Sequence, residues 1–250
     1  MRTLIVNGDT PLKLKLGYQL TEHPELLSQV APDAFVKIDS NKIEFKDSIC
    51  QPLSKLVSIV QLELDDSEIT DKGVEQLAAL PKIRYLNIDR TNIKGSCLHA
   101  LRATKSLRSL AVNDNAISPG CYKYFAELPP LTHLSVRNCS LTDEVLKYIG
   151  QIKTLEDLTL TANSKLTDEG LKNLRGLKHL RSMDVADAKL TAQGVEQLKG
   201  LPLKQLTLPK PLLDASAKRL QAAFPHTHIY SGVAGRVTAD DKMLFAPFRY

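Results

Sequence analysis

An L-x-x-L-x-L signature recurs along this chain at a near-constant interval. Its occurrences are Ile59-Leu62-Leu64, Ile83-Leu86-Ile88, Leu107-Leu110-Val112, Leu131-Leu134-Val136, Leu155-Leu158-Leu160, Leu180-Met183-Val185 and Leu203-Leu206-Leu208. They begin at 59, 83, 107, 131, 155, 180 and 203, so successive intervals are 24, 24, 24, 24, 25 and 23 residues. A fainter unit, with Phe35, Ile38 and then Ile43, begins 24 residues before Ile59. Self-similarity at such a period constrains the fold more tightly than any local propensity, because one supersecondary unit cannot bury its apolar face alone and must stack on its neighbours.

The second half of each unit also repeats. An apolar residue follows the core at Ile69, Ile93, Ile117, Leu141, Leu166, Leu190 and Leu213, and six of these are followed directly by Thr70, Ser118, Thr142, Thr167, Thr191 or Asp214. Such residues cap helix N-termini, and acidic residues often follow in the first turn. Helical spacing then appears in Val74-Leu77-Leu80, Leu98-Leu101, Tyr122-Phe125-Leu128, Leu146-Ile149, Leu171-Leu174-Leu177 and Val195-Leu198-Leu201, with Pro81, Pro129, Gly176 and Pro202 closing helices. Each unit therefore reads as a short strand, a turn, a helix and a return. Right-handed stacking aligns the strands in one parallel sheet. Strands stack closer together than helices, so the expected architecture is an α/β horseshoe solenoid, with the sheet concave and the helices convex.

The stretch LEDLTLTANSKLTDEGL, Leu155 to Leu171, resembles the leucine-rich repeat. It is most similar to the cysteine-containing class found in F-box substrate receptors and many bacterial proteins, and the likeness covers roughly residues 35–230. The resemblance implies a scaffold that binds a partner, without specifying which. The column that the family fills with Asn or Cys holds Ser67, Thr91, Asn115, Cys139, Asn163, Ala188 and Pro211. Side chains there hydrogen-bond buried backbone where the strand turns away, which Ala188 and Pro211 cannot do, so the C-terminal half is expected to be less regular.

Residues 1–34 fall outside the repeat. A hairpin is expected there, with Thr3–Val6 and Pro11–Leu16 joined through Asn7-Gly8-Asp9, followed by a helix from Thr21 to Val30. This segment reads as a cap on the terminal repeat; the rival is a junction to an upstream catalytic domain. Residues 35–230 form the repeat region, closed by a last strand over His226–Tyr230. Residues 231–250 retain Val233, Met243, Leu244, Phe245, Phe248 and Tyr250, and are expected either to fold back as a C-terminal cap or to act as a docking tail.

No stretch approaches the apolar length of a membrane span, and the N-terminus turns polar too early for a secretory signal. Four cysteines without a zinc-like or disulfide-framework spacing suit a reducing, cytoplasmic setting. A net charge of +5, spread over 33 basic and 28 acidic residues, gives no argument for nucleic acid. His226-x-His228 is half of a metal site with no nearby partner, and Asp65-Asp66 reads as two solvated residues leaving a strand. Cys97 and Cys121 occupy equivalent positions in consecutive units and are expected to be free, buried thiols. With no phosphate-binding, nucleophile-elbow, zinc-protease or dinucleotide motif, the chain is expected to be non-enzymatic, without cofactor or metal.

The outward strand positions are where the fold leaves identity free. The expected binding residues are Tyr85, Asn87, Arg90, Arg108, His133, Ser135, Arg137, Asp157 and Asp184, facing a protein partner, with no nucleic acid, no membrane and a monomeric state. The alternative is the targeting or regulatory part of a larger enzyme system of kinase or ubiquitin-ligase type. For the ligase version, residues 1–34 are too short for the helical trio that precedes such repeats. On this reading Tyr85 is exposed, and its replacement by Ala should change stability by no more than about 0.5 kcal/mol.

Overall fold

The molecule, seen in a computed structural model that describes residues 13–17, 19–40, 43 and 45–232, alternates ten strands with short helices. The strands are β1 (Lys13–Lys15), β2 (Lys37–Asp39), β3 (Gln61–Glu63), β4 (Tyr85–Asn87), β5 (Ser109–Ala111), β6 (His133–Ser135), β7 (Asp157–Thr159), β8 (Ser182–Asp184), β9 (Gln205–Pro209) and β10 (His228–Gly232). All ten join one sheet, every pairing is parallel, and strand order in space equals strand order in sequence. The helices are α1 (Gln19–Glu22), α2 (Cys50–Ser54), α3 (Asp71–Leu77), α4 (Leu98–Leu101), α5 (Asp143–Ile149), α6 (Asp168–Leu171), α7 (Ala192–Glu196) and α8 (Lys210–Ala223). Tighter 3-10 turns occupy Pro24–Gln29, Asp47–Ile49, Pro119–Glu127 and Lys172–Leu174.

The repeated leucines set the register. Leu14, Ile38, Leu62, Leu86, Leu110, Leu134, Leu158, Met183, Leu206 and Ile229 stand side by side across the sheet. Those from Ile38 to Leu206 are buried in one continuous core with helix residues such as Val74, Leu98, Phe125, Leu146, Leu171 and Val195. Alternation along a strand turns each neighbour of these leucines to the opposite face. The sheet runs further than the repeat pattern at its N-terminal end, while β10 falls where a closing strand over His226–Tyr230 was expected. Leu14, inside the segment expected to be a cap, lies 24 residues before Ile38, and β1 pairs parallel with β2. The first strand of the expected hairpin lies outside the described residues. The helix expected over Thr21–Val30 is instead α1 followed by the 3-10 turn at Pro24–Gln29.

Beyond the strands the chain turns through left-handed backbone at equivalent places in five successive units: Asp66 (φ 58°), Arg90 (50°), Asp114 (57°), Asn138 (50°) and Ala162 (61°). Asp and Asn tolerate this region; Arg90 and Ala162 are held there by their surroundings. The column behind the turns performs the hydrogen bonding expected of it. Asn115 Nδ2 donates to the carbonyls of Ile88 (2.8 Å) and Val112 (3.0 Å), and Asn163 Nδ2 to those of Val136 and Leu160, both at 2.8 Å. Ser67 and Thr91 donate to Leu64 and Ile88, and the Cys139 thiol to Val112 and Arg137.

Three expected caps close in the usual way: Thr70, Thr167 and Thr191 each accept a backbone N–H from the first turn of α3, α6 and α7. Thr142 and Ser118 sit at helix starts without a side-chain cap bond. Asp214 is not a cap at all. The helix begins earlier than expected: α8 starts at Lys210, with Pro211 in its first turn, where a missing N–H costs nothing. Asp214 is thereby left inside the helix, paired with Lys210 at 2.7 Å. Among the described residues no helix is long and apolar enough to cross a membrane.

Candidate interaction face

The face of the sheet opposite the helices carries the side chains that flank the core leucines. One column runs Gln61, Tyr85, Ser109, His133, Asp157, Ser182 and Gln205; the next runs Glu63, Asn87, Ala111, Ser135, Thr159, Asp184 and Thr207. Seven of the nine expected site residues, Tyr85, Asn87, Arg90, His133, Ser135, Arg137 and Asp157, lie together on β4–β7 and the turns that follow. Asp184 stands one strand further along, its carboxylate accepting the Ala186 N–H at 3.0 Å. Arg108 is drawn away: its guanidinium donates to the carbonyls of Lys105 and Leu107, at 2.9 and 2.8 Å.

The face is far less open than expected. Relative exposures are 9% for Tyr85, 3% for Ser109, 1% for Ala111, 2% for Ser135 and 5% for Thr159. Tyr85 and Ser135 therefore are not free anchors, and the expectation that Tyr85 is an exposed position fails. Burial, followed by the nearby carboxylates of Glu63, Asp89 and Asp65, pushes the Tyr85 phenol well above its ordinary range.

A polar chain threads the centre. Asp89 accepts the Asn113 backbone N–H at 2.7 Å and its side-chain amide at 2.9 Å. The Asn113 carbonyl oxygen in turn accepts the Ser135 hydroxyl and the Arg137 N–H, both at 2.7 Å. Burial raises the Asp89 carboxyl to about 6, although the Asn113 hydrogen bonds pull the other way.

A charged margin runs along the turns. Arg90 binds both oxygens of Asp66 and reaches Asp65 at 3.2 Å and Asp114 at 3.8 Å. Arg137 pairs with Asp114 at 3.1 Å. Asp65 and Asp66 are thus ion-paired rather than merely solvated. Burial and the adjacent Asp66 raise the Asp65 carboxyl despite Arg90. Sequence reasoning passed over Asp89, Asn113 and Asp114, although the recurrence of Asp or Asn just beyond each strand was the signal for them.

His133 sits between two polar neighbours. Its Nε2 lies 2.9 Å from Asp157, and its Nδ1 lies 2.8 Å from the Thr132 hydroxyl. The backbone N–H groups of Thr132 and His133 both donate to the Arg108 carbonyl, at 2.8 and 3.0 Å. The trio reads as a cross-strand staple. At the far end, His226 and His228 line an open depression of about 380 Å³ with Gln221, Pro225 and Tyr230. Among the described residues no group of three or more His, Cys, Asp or Glu is arranged to hold a metal ion. Cys50, Cys97, Cys121 and Cys139 are all free; Cys121 is only partly buried, short of the full burial expected for it.

No protein-family model matches the chain, and no curated protein matches it. What fold and site define together is an α/β chain with a single all-parallel sheet, one face on helices and the other carrying a polar, ion-paired surface.

Proposed function

We propose that the chain is a leucine-rich-repeat solenoid acting as a non-catalytic protein-binding module, with the helix-free face of the sheet as its binding surface. The observation that carries this reading is the constant register: ten strands in sequence order, with offsets of 23 to 25 residues between the leucines from Ile38 to Ile229. A doubly wound sheet would instead reverse its strand order at a switch point and bind ligand there. Ten strands at about 4.8 Å give a face roughly 43 Å long, enough for a folded domain or an extended peptide.

On this reading the partner engages the margin of Arg90, Arg137, Asp65 and Asp114 together with His133 and Asp157. Arg is enriched where interfaces concentrate binding energy, and a pre-formed sheet adds little ordering cost. The test is affinity capture with the wild-type chain and with an Arg90→Ala/His133→Ala/Arg137→Ala variant of matched thermal transition. A protein retained by the first and lost by the second supports the reading. Identical capture by both, or none by either, overturns it.

A further inference from the structure

The charge of this chain is not spread evenly over its surface. Seven segments return from a helix to the next strand: residues 54–60, 78–84, 102–108, 126–132, 150–156, 175–181 and 198–204. Together they hold twelve Lys and Arg against two acidic residues, Glu127 and Glu156, an excess of ten where the whole chain has five. The fold lines these segments up. The residue before each strand donates its backbone N–H to the residue before the preceding strand: Arg108 to Arg84, Thr132 to Arg108, Glu156 to Thr132, Arg181 to Glu156 and Lys204 to Arg181, at 2.7 to 2.9 Å. All seven segments therefore lie along one edge of the sheet, where the strands begin.

The two edges handle their charge differently. Where the strands end, the carboxylates are satisfied within the chain: Asp66 and Asp114 by Arg90 and Arg137, Asp89 by Asn113, and Asp71 by three backbone amides. Where the strands begin, only Arg102 and Lys199 of the twelve cations reach a carboxylate among the described residues, Glu127 at 3.7 Å and Glu196 at 3.9 Å. All twelve but Arg108 are exposed. Unpaired charge of one sign gathered on one edge favours a polyanion outside the chain.

The cations form two clusters. Lys82, Arg84, Arg102, Lys105 and Arg108 precede β4 and β5; Arg175, Lys178, Arg181, Lys199 and Lys204 precede β8 and β9. Between them lie Glu127, Glu156 and a single cation, Lys153, whose ammonium donates to the Gly150 carbonyl. From Arg108 to Arg181 is three strand steps, roughly 14 Å, and from cluster centre to cluster centre four, roughly 19 Å. We infer that this edge binds the phosphate backbone of duplex DNA, one cluster on each of the two phosphate ridges that flank a major groove about 12 Å wide, without reading base sequence. An extended acidic peptide would cross the gap between the clusters without partners. Single strands need stacking platforms, and the seven segments contain no Phe, Tyr or Trp. Val57 is their one exposed large apolar side chain, so a bilayer would gain little burial here. The inference goes beyond the sheet-face reading above and uses a different surface.

The test titrates the full chain into a fluorescent duplex of about 20 base pairs, roughly 68 Å and so longer than the edge, in two unrelated sequences and across a salt series. Lys82→Gln/Arg84→Gln/Lys105→Gln and Lys178→Gln/Arg181→Gln/Lys204→Gln each weaken one cluster. Lys72→Gln/Lys147→Gln/Lys189→Gln removes the same charge from exposed positions elsewhere. All the replaced side chains are exposed, so the thermal transitions should coincide. Wild type should bind both sequences alike. Each cluster variant should bind about tenfold more weakly or worse, with the slope of log affinity against log salt reduced by about 2 to 3, while the control stays within about threefold of wild type. No binding by wild type, an equal loss in the control, or a cluster variant that binds as wild type does would each overturn the inference. Tighter binding of the matching single strand, or binding of phosphatidylserine vesicles in place of the duplex, would overturn it as well and point to that polyanion instead.

Discussion

The carboxylate of Asp47 accepts the backbone N–H of Thr70 at 2.7 Å and its hydroxyl at 2.6 Å, joining the start of one helical segment to the cap of the next. Asp143 holds Thr167 in the same way at 2.8 and 2.6 Å, and Asp168 holds Thr191 at 2.9 and 2.6 Å. Asp71 receives three amides instead, from Lys94, Gly95 and Cys97. This relationship explains the Thr-Asp-x-Gly sequence found at Thr70–Gly73 and again at Thr167–Gly170. Thr caps its own helix, Asp reaches forward, and Gly leaves room for the carboxylate arriving from behind: a β-carbon on Gly170 or Gly194 would strike Asp143 or Asp168.

Removing one staple should therefore cost more than its surface position suggests. Asp168→Ala leaves the Thr191 amide and hydroxyl without their charged acceptor, and about 1–3 kcal/mol of stability should be lost in denaturant titration. Glu169→Ala, one residue on and exposed, should stay within about 0.5 kcal/mol. Equal losses for the two would remove the staple's significance.

Gly170→Ala and Gly120→Ala separate close approach from helix propensity. Nothing lies within 4 Å of a β-carbon at Gly120, so Ala there should be neutral or stabilising by up to about 1 kcal/mol. At Gly170 the Asp143 carboxylate must move, and the midpoint should fall.

Asp89 gives the protein a pH dependence of definite sign. Between about 3.8 and 6 the native state keeps a proton on this carboxyl that the unfolded chain has released. Stability from this group therefore rises as pH falls through 6. From about pH 7.5 to about pH 5.5 the gain should be about 1 kcal/mol in the wild type relative to Asp89→Asn. Denaturant titrations of both proteins at the two pH values check this; parallel behaviour would mean Asp89 is ordinary.

The thiols should divide into two groups. Burial pushes Cys50 and Cys139 up to about 12 and raises Cys97 as well. These three should resist a disulfide reagent in the native protein, while the partly exposed Cys121 reacts first. Reductant should leave the thermal transition unmoved.

The core and the opposite face of the sheet should both prove sensitive to truncation. Leu134→Ala should cost about 2–5 kcal/mol through the cavity it leaves. Tyr85→Ala, buried on the opposite face, should also destabilise by well over about 0.5 kcal/mol. A silent Tyr85→Ala would restore the exposed position that the sequence alone suggested.

The strands and their register were legible because burial acts on every unit alike: Leu62, Leu86, Leu110, Leu134 and Leu158 hold one place, and each needs the same neighbour. The Asn115 and Asn163 ladder was legible for the same reason. The β1 unit was missed because, in Pro11–Leu16, alternating Leu and Lys suits a hairpin as well as an edge strand, and only the half-buried Leu14 and the buried Leu16 mark the period. Arg108 was misplaced because a long side chain chooses among nearby carbonyls, which a register cannot foresee. The burial of Tyr85 and Ser135 escaped for a different reason. A column of small and polar side chains reads as wetted, and nothing local in sequence reports its burial.

The sequential order of the sheet also sets how the molecule would answer a mechanical load. Each strand is bonded only to the one before and the one after, so tension at the two ends loads one interface at a time rather than the whole sheet. Every unit released would lengthen the molecule by the extended reach of about 24 residues, roughly 80 Å. A chain drawn from its ends should thus yield in a series of near-equal steps, and its weakest single junction, not its total stability, should decide when the first step occurs.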